Sequence, residues 1–368
     1  MFTYERWRES IGIPIHRGYY MEDLTTLELG LWKERQAQAA FIELVGQEGI
    51  TETRVTEIPP RGSLPAVQLA FDEVVYVLKG WGATTVWRPG SSEKKSFEWH
   101  EASMFMLPRH YLHEIHNTHG SEPIRLLHYN YLPLAMSAVP DPTFFFADGA
   151  DAEDRARDLD LKQFYGEATL RKEEHEGVLW GRRKEAWVGN FFPDMRVWDR
   201  LESNATRGAG GRSVFIEFPG SEMTCHMSVF APRTYKKAHR HGPGRAIVIP
   251  TGEGYSVMWQ EGKEKVVAPW RPGSMLTPPD RWFHQHFNVG SAPARYLALH
   301  PPMQFYGHAE KIEDRAKDQI EYVDEDPWIR EKFEGELRAR DLTSLVPAEA
   351  YEQRDYTWST SAAASQAD

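Results

Sequence analysis

Two histidines stand one residue apart in the stretch KKAHRHGPGR, residues 236–245. Side chains at positions i and i+2 of a β-strand point to the same side, so His239 and His241 can face one ligand. Neutral imidazole is the commonest protein ligand for a transition metal. The spacing therefore allows a shared metal ion, but an isolated His-x-His also arises by chance. The rest of the chain has to discriminate between the two interpretations.

The chain contains an internal repeat that places this pair in a larger pattern. VVYVLKGWGATTVW (74–87) corresponds to AIVIPTGEGYSVMW (246–259), and WHEASMFMLPRHYLHEIHN (99–117) corresponds to WRPGSMLTPPDRWFHQHFN (270–288). Both units read as short strands with period-two patterning, separated by glycine and proline turns. Such a pattern is typical of a β-sandwich or barrel. The sequence therefore predicts an all-β protein with two similar barrels, at roughly 41–133 and 215–303.

The segments outside the two units have a different composition. Three of them show helical composition and spacing: ERQAQAAFIEL (34–44), AEDRARDLDLKQFYGEATLRKEEHEG (152–177) and DPWIREKFEGELRARDL (326–342). The terminal STSAAASQAD (359–368) has the composition of a disordered tail. We therefore expect helical flanking and linking segments around the barrels.

Composition and charge exclude several classes of protein. The 368 residues are 41% hydrophobic and 26% charged, which is ordinary for a soluble globular chain. No apolar run approaches the length of a transmembrane helix, and the N-terminus lacks an apolar signal core. The net charge of −11 argues against a nucleic-acid partner. The single cysteine, Cys225, forms no intramolecular disulfide and fits a reducing, cytoplasmic setting.

The second unit carries two short patterns that resemble those of the cupin superfamily, G(X)5HXH(X)3–4E(X)6G and G(X)5PXG(X)2H(X)3N. The matching residues are His239, His241, Gly252, Gly273, Pro279, His284 and Asn288. With its repeat, the chain resembles a bicupin. The resemblance implies two tandem jelly-roll barrels, with His239, His241 and His284 as metal ligands in the second. Two family glycines are replaced, by Arg233 and Arg281.

One departure from the pattern bears on the chemistry. The family's glutamate position is occupied by Arg245, which cannot coordinate a metal. The expected site therefore has three histidines and no carboxylate, as in bicupin dioxygenases similar to gentisate 1,2-dioxygenase. The resemblance implies Fe(II) as the first choice, although such a site also accepts manganese, nickel, copper or zinc. Arg245 either holds a substrate carboxylate or forms a salt bridge at the barrel rim.

Three further residues of the second unit are candidates for the pocket. His286 should share the face of His284, as a fourth ligand, an acid/base group or a hydrogen-bonded pocket residue. Tyr255 and Trp259 either line a substrate pocket or fill the barrel.

The first unit has lost most of the pattern. Val67 and Leu69 occupy the positions of the histidine pair, while Glu73 and His113 keep the glutamate and the third histidine. We expect a mainly structural barrel, the alternative being a weak site formed by Glu73, His113 and His110.

These observations predict five segments. They are an N-terminal helical or extended segment (1–40), a first cupin domain with a degenerate site (41–140), a helical linker (141–210), a second cupin domain with the metal site (211–303) and a C-terminal helical segment with a tail (304–368). Residues 1–40 suit the association of copies into a homo-oligomer.

Three functions fit the sequence. The first is an Fe(II) dioxygenase acting on dioxygen and a small, aromatic or hydroxylated carboxylic acid, with Arg245 as the anion anchor and His286 handling protons. The second is a metal-dependent lyase, isomerase or hydrolase on the same scaffold. The third is a bicupin that binds a small molecule without turnover.

Overall fold

Strands dominate the chain, and they form two pairs of sheets. A computed structural model of the protein describes residues 1–172, 185–198, 202–203, 208, 211–302, 317–354, 356 and 358. The strands of the first 150 residues are β1 (Ile15–Gly18), β2 (Tyr20–Met21), β3 (Gly30–Trp32), β4 (Ala37–Leu44), β5 (Glu52–Ile58), β6 (Ser63–Leu69), β7 (Glu73–Lys79), β8 (Trp81–Trp87), β9 (Lys94–His100), β10 (Met104–Leu107), β11 (Leu112–Asn117), β12 (Ile124–Asn130) and β13 (Phe146–Asp148).

The second set of strands repeats this plan. It consists of β14 (Thr169–Lys172), β15 (Glu185–Val188), β16 (Phe191–Phe192), β17 (Glu202–Ser203), β18 (Arg212–Glu217), β19 (Thr224–Phe230), β20 (Thr234–Tyr235), β21 (Ala238–His239), β22 (Ala246–Thr251), β23 (Gly254–Trp259), β24 (Lys265–Trp270), β25 (Met275–Leu276), β26 (Phe283–Asn288), β27 (Ala294–His300) and β28 (Gln319–Ile320).

Helices are few and short in the described residues. The α-helices are α1 (Thr3–Ile11), α2 (Leu132–Ala138), α3 (Pro142–Phe145), α4 (Leu161–Phe164) and α5 (Pro327–Arg338), and the 3-10 helices are Lys33–Arg35, Tyr322–Asp324 and Ala348–Tyr351. No helix among these residues has the length and apolar character needed to cross a membrane.

Each half of the molecule is a sandwich of two sheets. In the first, the order β1-β4-β5-β12-β7-β10-β16 faces β13-β6-β11-β8-β9; in the second, β14-β15-β18-β19-β27-β22-β25-β2 faces β24-β23-β26-β21-β28. Alternate residues of these strands face the interior of their own barrel, while the others face outward. The prediction of an all-β protein with two jelly-roll barrels is confirmed.

The two barrels exchange an edge strand. β2, from the N-terminal segment, pairs with β25 of the second barrel, and β16, from the segment between the repeats, pairs with β10 of the first. The backbone repeats this symmetry, because Leu24 N donates to the carbonyl of Gly273 and Met195 N donates to that of Ala102, both at 2.9 Å. The structural repeat therefore extends upstream of the two units.

A continuous apolar layer joins the barrels. Outward-facing residues of both sheets form one buried cluster, which includes Val55 and Leu127 from the first barrel and Met227 and Leu297 from the second. Each of these four residues is fully buried. Burial of apolar surface on this scale is the main stabilising contribution to such an interface.

The helical expectations for the flanks are confirmed only in part. Helix α5 forms where DPWIREKFEGELRARDL predicts it, with Asp326 accepting from the Trp328 N–H at its N-terminus. The expectation for 34–44 is wrong, because β4 (Ala37–Leu44) pairs with β5 as a buried strand. Of the predicted helical stretch 152–177, the described part contains the short helix α4 and strand β14, and residues 173–177 lie outside the described residues. The predicted disordered tail, 359–368, lies outside the described residues.

Candidate metal centre

Three histidines converge inside the second barrel. β21 pairs with β26 such that His239 lies opposite His284, and His241 follows two residues later. One ligand nitrogen from each side chain lies within 4.8 Å of the other two. The ring centroids of His239 and His241 lie 4.3 and 4.6 Å from that of His284. Among the described residues, this is the group of histidine, cysteine and carboxylate side chains with the geometry to hold a metal ion.

Backbone carbonyl groups fix the tautomers of two of these rings. His241 Nδ1–H donates to the carbonyl of Gly242 at 2.8 Å, and His284 Nδ1–H donates to that of Trp282 at 3.1 Å. In a neutral ring, the proton on Nδ1 leaves the Nε2 lone pair available for a metal. Burial and the nearby charge of Arg245 lower the pKa of His241 well below its usual value, so it is neutral at physiological pH. The three residues fit a first-row divalent ion.

A surface ion-pair cluster holds the two strands that carry the histidines. Arg240, between His239 and His241 in sequence, donates to Asp318 Oδ1 at 2.9 Å. Arg281, just before β26, reaches the same oxygen at 2.7 Å. The carboxylate therefore ties the His-x-His segment to the turn that precedes His284, which restrains the spacing of the ligands.

The first barrel anchors the loop that follows the histidine pair. Gly244 N donates to the carbonyl of Gly46 at 2.7 Å, and the Gly244 carbonyl accepts from Tyr129 at 2.8 Å and from Thr51 at 3.2 Å. All three partners belong to the first half of the chain. The position of the loop between His241 and Arg245 thus depends on both barrels.

Arg245 lies beside the histidines and inside the barrel. It is 8% exposed and immediately precedes β22, on whose interior face Ile247 and Ile249 also lie. Its charge contributes to the lowered pKa of His241, which places the guanidinium near that ring. The location places a buried cation next to the histidine cluster rather than at an exposed rim.

His286 shares the interior face with His284 but is not part of the three-histidine group. Its Nδ1 lies 2.7 Å from Ser256 Oγ, and Trp270 Nε1–H donates to the same oxygen at 3.1 Å. The Ser256 hydroxyl, itself held by Trp270, therefore orients the His286 ring through Nδ1. Burial, His284 and Lys236 lower its pKa well below the usual value. This arrangement favours an acid/base role over a fourth ligand.

The interior also contains polar residues that the sequence did not single out. Lys236 donates to Ser228 and, at 3.3 Å, to the hydroxyl of Tyr296, whose ring lies 4.8 Å from that of His286. His226 Nδ1 lies 2.8 Å from His300 Nε2. The available signal was in β19, where polar Thr224, His226 and Ser228 alternate with apolar residues that face outward.

Tyr255 and Trp259 are not brought to the histidines, which corrects the expectation that they line the pocket. Both residues lie on β23, where Tyr255 pairs with Phe287 of β26 and Trp259 pairs with Phe283. The residues of β23 that pair with His286 and His284 are Ser256 and Met258. Tyr255 stacks on Phe287 at 4.5 Å, with helix α5 covering this outer face. Gln285 faces the same side and donates to the Lys236 carbonyl.

The corresponding region of the first barrel does not assemble a metal site from described residues. Val67 and Leu69 face its interior in place of histidines. Both oxygens of Glu73 accept hydrogen bonds, from Arg54 at 3.0 Å, from His128 Nδ1 at 2.7 Å and from Asn130 at 3.0 Å. His113 is buried, and burial lowers its pKa to about 3. His110 lines a pocket with Asp72 and Arg109 at the edge of this barrel.

The backbone keeps the conformations that the cupin patterns encode, even where glycine is absent. Arg233 and Arg281 adopt φ values of 56° and 58°, and their counterparts Arg61 and His110 adopt 58° and 65°. Glycine is the usual residue in this left-handed region because other side chains are strained there. The turns at these positions are therefore retained in both barrels.

Comparison with known proteins supports the fold. No protein-family profile matches the chain, and no curated protein matches it by sequence. A solved salicylate 1,2-dioxygenase from Pseudaminobacter salicylatoxidans is similar, with a TM-score of 0.54 and 12% identity over 77% of this chain and 83% of that chain. Oxalate decarboxylase from Bacillus subtilis also matches, with a TM-score of 0.47 and 10% identity over 79% of this chain and 78% of that chain. The coconut allergen cocosin matches with a TM-score of 0.46 and 13% identity over 76% of this chain and 84% of that chain.

At these identities the likeness concerns the fold alone, and the likeness to the salicylate dioxygenase has a TM-score of 0.54. It spans both barrels, in agreement with the sheet order and the sequence patterns. The chain has the bicupin fold, with a three-histidine cluster in its second barrel.

Proposed function

We propose that the protein is a metal-dependent dioxygenase that acts on a small, aromatic or hydroxylated carboxylic acid, with Fe(II) as its metal. The observation that carries the proposal is the convergence of His239, His241 and His284 without a carboxylate ligand. A bound ferrous ion would supply Lewis acidity and the one-electron chemistry that reactions of dioxygen require. Three ligands leave coordination positions for substrate and oxygen.

Arg245 is the residue best placed to hold the substrate carboxylate. Its guanidinium is buried beside His241, and it presents a fixed fork that matches the two oxygens of a carboxylate. Since all three ligands are neutral, Arg245 adds to the positive potential of the site. The proposal therefore requires an anionic substrate, with its acid group directed towards Arg245.

His286 is the proposed proton carrier. The Ser256 hydroxyl holds its Nδ1 and burial keeps the ring neutral, so the other ring nitrogen, Nε2, is the proposed base that takes up a proton from a bound substrate hydroxyl group. Part of the surrounding interior is apolar, with Phe230, Ile247 and Met258 in one buried cluster. These side chains exclude water from a site in which reactive oxygen species would otherwise be quenched.

A second candidate is a metal-dependent lyase, isomerase or hydrolase. The observation that favours it is buried Lys236, which lies against Tyr296 near His286 and adds a second acid/base group to the same interior. Such a set of groups serves reactions that need proton transfer and no dioxygen.

Metal analysis and oxygen consumption test the proposal together. Protein purified anaerobically is expected to contain a single iron ion per chain, and His239→Ala, His241→Ala and His284→Ala are expected to lose it. His116→Ala, a half-exposed histidine of the first barrel, is the matched control. Oxygen uptake would then be measured on hydroxylated aromatic acids and aliphatic hydroxy acids. Turnover without oxygen uptake would establish the second candidate, and full metal content in the three variants would contradict both.

A further inference from the structure

The loop that follows the histidine pair, residues 242–245, lies against a turn of the first barrel. This turn, residues 45–51, connects β4 to β5. The Gly244 N–H donates to the carbonyl of Gly46 at 2.7 Å. Gly244 has a φ of 85°, and a Cβ there would lie 2.9 Å from a side-chain carbon of Ile50. Because the turn and the loop are in direct contact at this point, a displacement of the turn also displaces the loop.

Two hydroxyl groups of the first half of the chain hold the carbonyl of Gly244. Tyr129, on β12, donates to it at 2.8 Å, and Thr51 donates to it at 3.2 Å. Tyr129 is fully buried and belongs to the apolar layer between the barrels. A hydroxyl group in such a layer needs a hydrogen-bond acceptor, since an unpaired polar group costs free energy there. The carbonyl of Gly244 supplies one, so the interface fixes the orientation of this carbonyl.

The held carbonyl belongs to the same peptide unit as the backbone nitrogen of Arg245. A peptide unit is planar, so the orientation of the Gly244 carbonyl also sets the direction in which the Arg245 backbone begins. Arg245 is buried and immediately precedes β22. Tyr129 and Thr51 therefore act through the backbone on the guanidinium that lies beside His241.

The same turn contacts the loop that leads to the third histidine. A Cβ at Gly46, whose φ is 104°, would lie 2.8 Å from Cα of Pro279 and 3.0 Å from the carbonyl oxygen of Pro278. The two loops are also joined to each other, because the Arg281 N–H donates to the carbonyl of His241 at 2.9 Å. The 45–51 turn thus supports both of the loops that flank the ligands.

We propose that the 45–51 turn and Tyr129 position the metal centre of the second barrel, with Tyr129 and Thr51 orienting Arg245 towards the carboxylate of a substrate. Tyr129 is a positioning residue, since its contact is with the backbone that leads into Arg245. The inference rests on the function proposed above, in which Arg245 is the carboxylate anchor. It gives the first barrel a role in that function although its own histidine pair is replaced by aliphatic residues.

Acetate binding to the cobalt-substituted protein tests the role of Tyr129. Co(II) is a first-row divalent ion that imidazole ligands accept, and its visible absorption reports the binding of acetate at the metal. Arg245→Gln is expected to weaken acetate binding by about tenfold or more, and Tyr129→Phe by about fivefold. Thr51→Val removes the longer of the two hydrogen bonds and should have a smaller effect in the same direction.

Tyr165→Phe is the matched control for Tyr129→Phe. The Tyr165 hydroxyl also donates to a backbone carbonyl at 2.8 Å, that of Met106, but its ring belongs to a separate buried cluster of the first barrel. Both variants lose the same kind of hydrogen bond and should melt at similar temperatures, yet Tyr165→Phe should bind acetate as the wild type does.

The outcomes of the acetate titration separate this inference from the function on which it rests. Equal acetate affinities of Tyr129→Phe and Tyr165→Phe, together with a loss in Arg245→Gln, would overturn this inference alone. Wild-type affinity in Arg245→Gln would overturn the anchor role of Arg245 and this inference together. Oxygen uptake does not enter the measurement, so the result holds whichever reaction the centre performs.

A pair of glycine variants tests the contact with the loop before His284. Gly46→Ala and Gly49→Ala both place a Cβ at a positive φ, but a Cβ at Gly49 would meet no further heavy atom within 4 Å. Backbone strain is therefore common to both variants, whereas the contact with Pro279 is specific to Gly46. Gly46→Ala should weaken Co(II) binding by about tenfold in a competition titration with a chelator, and Gly49→Ala should not. Equal Co(II) affinities would show that the turn does not position the ligands.

Discussion

The two barrels share a fold but carry opposite chemistry at the same interior positions. Where the first has Glu73, the second has Arg245; where the second has His239 and His241, the first has two aliphatic side chains. The carboxylate of Glu73 is bound by a network of buried donors, whereas Arg245 stands beside three histidines. A single cupin frame has thus become an internally neutralised pocket in one half and a metal-ligand cluster in the other.

What the barrels retain is the set of residues that shape the turns. Asn117 donates to the carbonyls of Ile58, Pro59 and Glu122, and Asn288 donates to those of Phe230, Ala231 and Ala292. Gly80 and Gly252 both have positive φ, and a Cβ at either would lie 2.6 Å from a residue of the neighbouring strand. These positions support the frame, so they persist where the ligands have diverged.

The largest expected effect contrasts the histidines at corresponding positions. His284→Ala removes one of three ligands and should weaken metal binding by about 100-fold or more. His113→Ala, its counterpart in the first barrel, should leave the metal content unchanged. Elemental analysis of both variants after equilibration with the same iron buffer makes the comparison. A fall in metal content with His113→Ala would mean that the first barrel contributes to metal binding.

The next effect concerns the neutralised interior of the first barrel. Glu73→Gln leaves Arg54 without one of its two carboxylate partners in a buried setting. Breaking a buried ion pair on one side costs about 3 kcal/mol or more in the free energy of unfolding. Denaturant unfolding of metal-free protein measures it, with the partly exposed Glu114→Gln as the control. A loss equal to that of the control would show that the network contributes little.

Acid should weaken the first barrel through His113. Its folded pKa is about 3 against an unfolded value of 6.5, so the unfolded chain binds the extra proton between these values. Stability is therefore lost as the pH falls through that window, by about 1.4 kcal/mol per pH unit for this residue. His113→Gln removes this contribution and should flatten the pH dependence of unfolding in chelator-treated protein. Parallel curves for the two proteins would refute the assignment.

The smallest effect is expected on the outer face of the second barrel. Tyr255 is stacked on Phe287 away from the histidines, and its hydroxyl has no hydrogen-bond partner among the described residues. Tyr255→Phe should change the free energy of unfolding by no more than about 0.5 kcal/mol and should leave metal content unchanged. Thermal melts and metal analysis measure these two quantities. A loss of metal in Tyr255→Phe would mean that Tyr255 contributes to the histidine site.

The sequence predicted the frame from its internal repeat, and the three histidines from the cupin patterns that it resembles. Period two allows His239 and His241 to share one side, and the resemblance to the second cupin pattern added His284. The assignment of Tyr255 and Trp259 failed because the facing direction depends on strand register, where a shift of one residue reverses the side. Residues 34–44 were assigned to a helix by composition, but pairing with β5 determines their structure.

Other features had no local signal. β2 and β16 are two residues long, and their partners lie in the opposite barrel, so no window of sequence predicts them. Lys236 stands next to Lys237 in a run that reads as a solvated charge pair, yet it is 3% exposed and donates to Tyr296. Such placements depend on tertiary contacts that only the assembled barrels provide.

Because the segment before each repeat supplies an edge strand to the other barrel, the two halves of the chain cannot be separated without loss of strand pairing. A gene cut between the repeats would yield a first product that lacks Phe191–Phe192 against β10, and a second that lacks Tyr20–Met21 against β25. Each product would present an unpaired strand edge, a template for aggregation. The second barrel therefore requires the first half of the chain for its own strand pairing, even though the first barrel lacks the histidine pair.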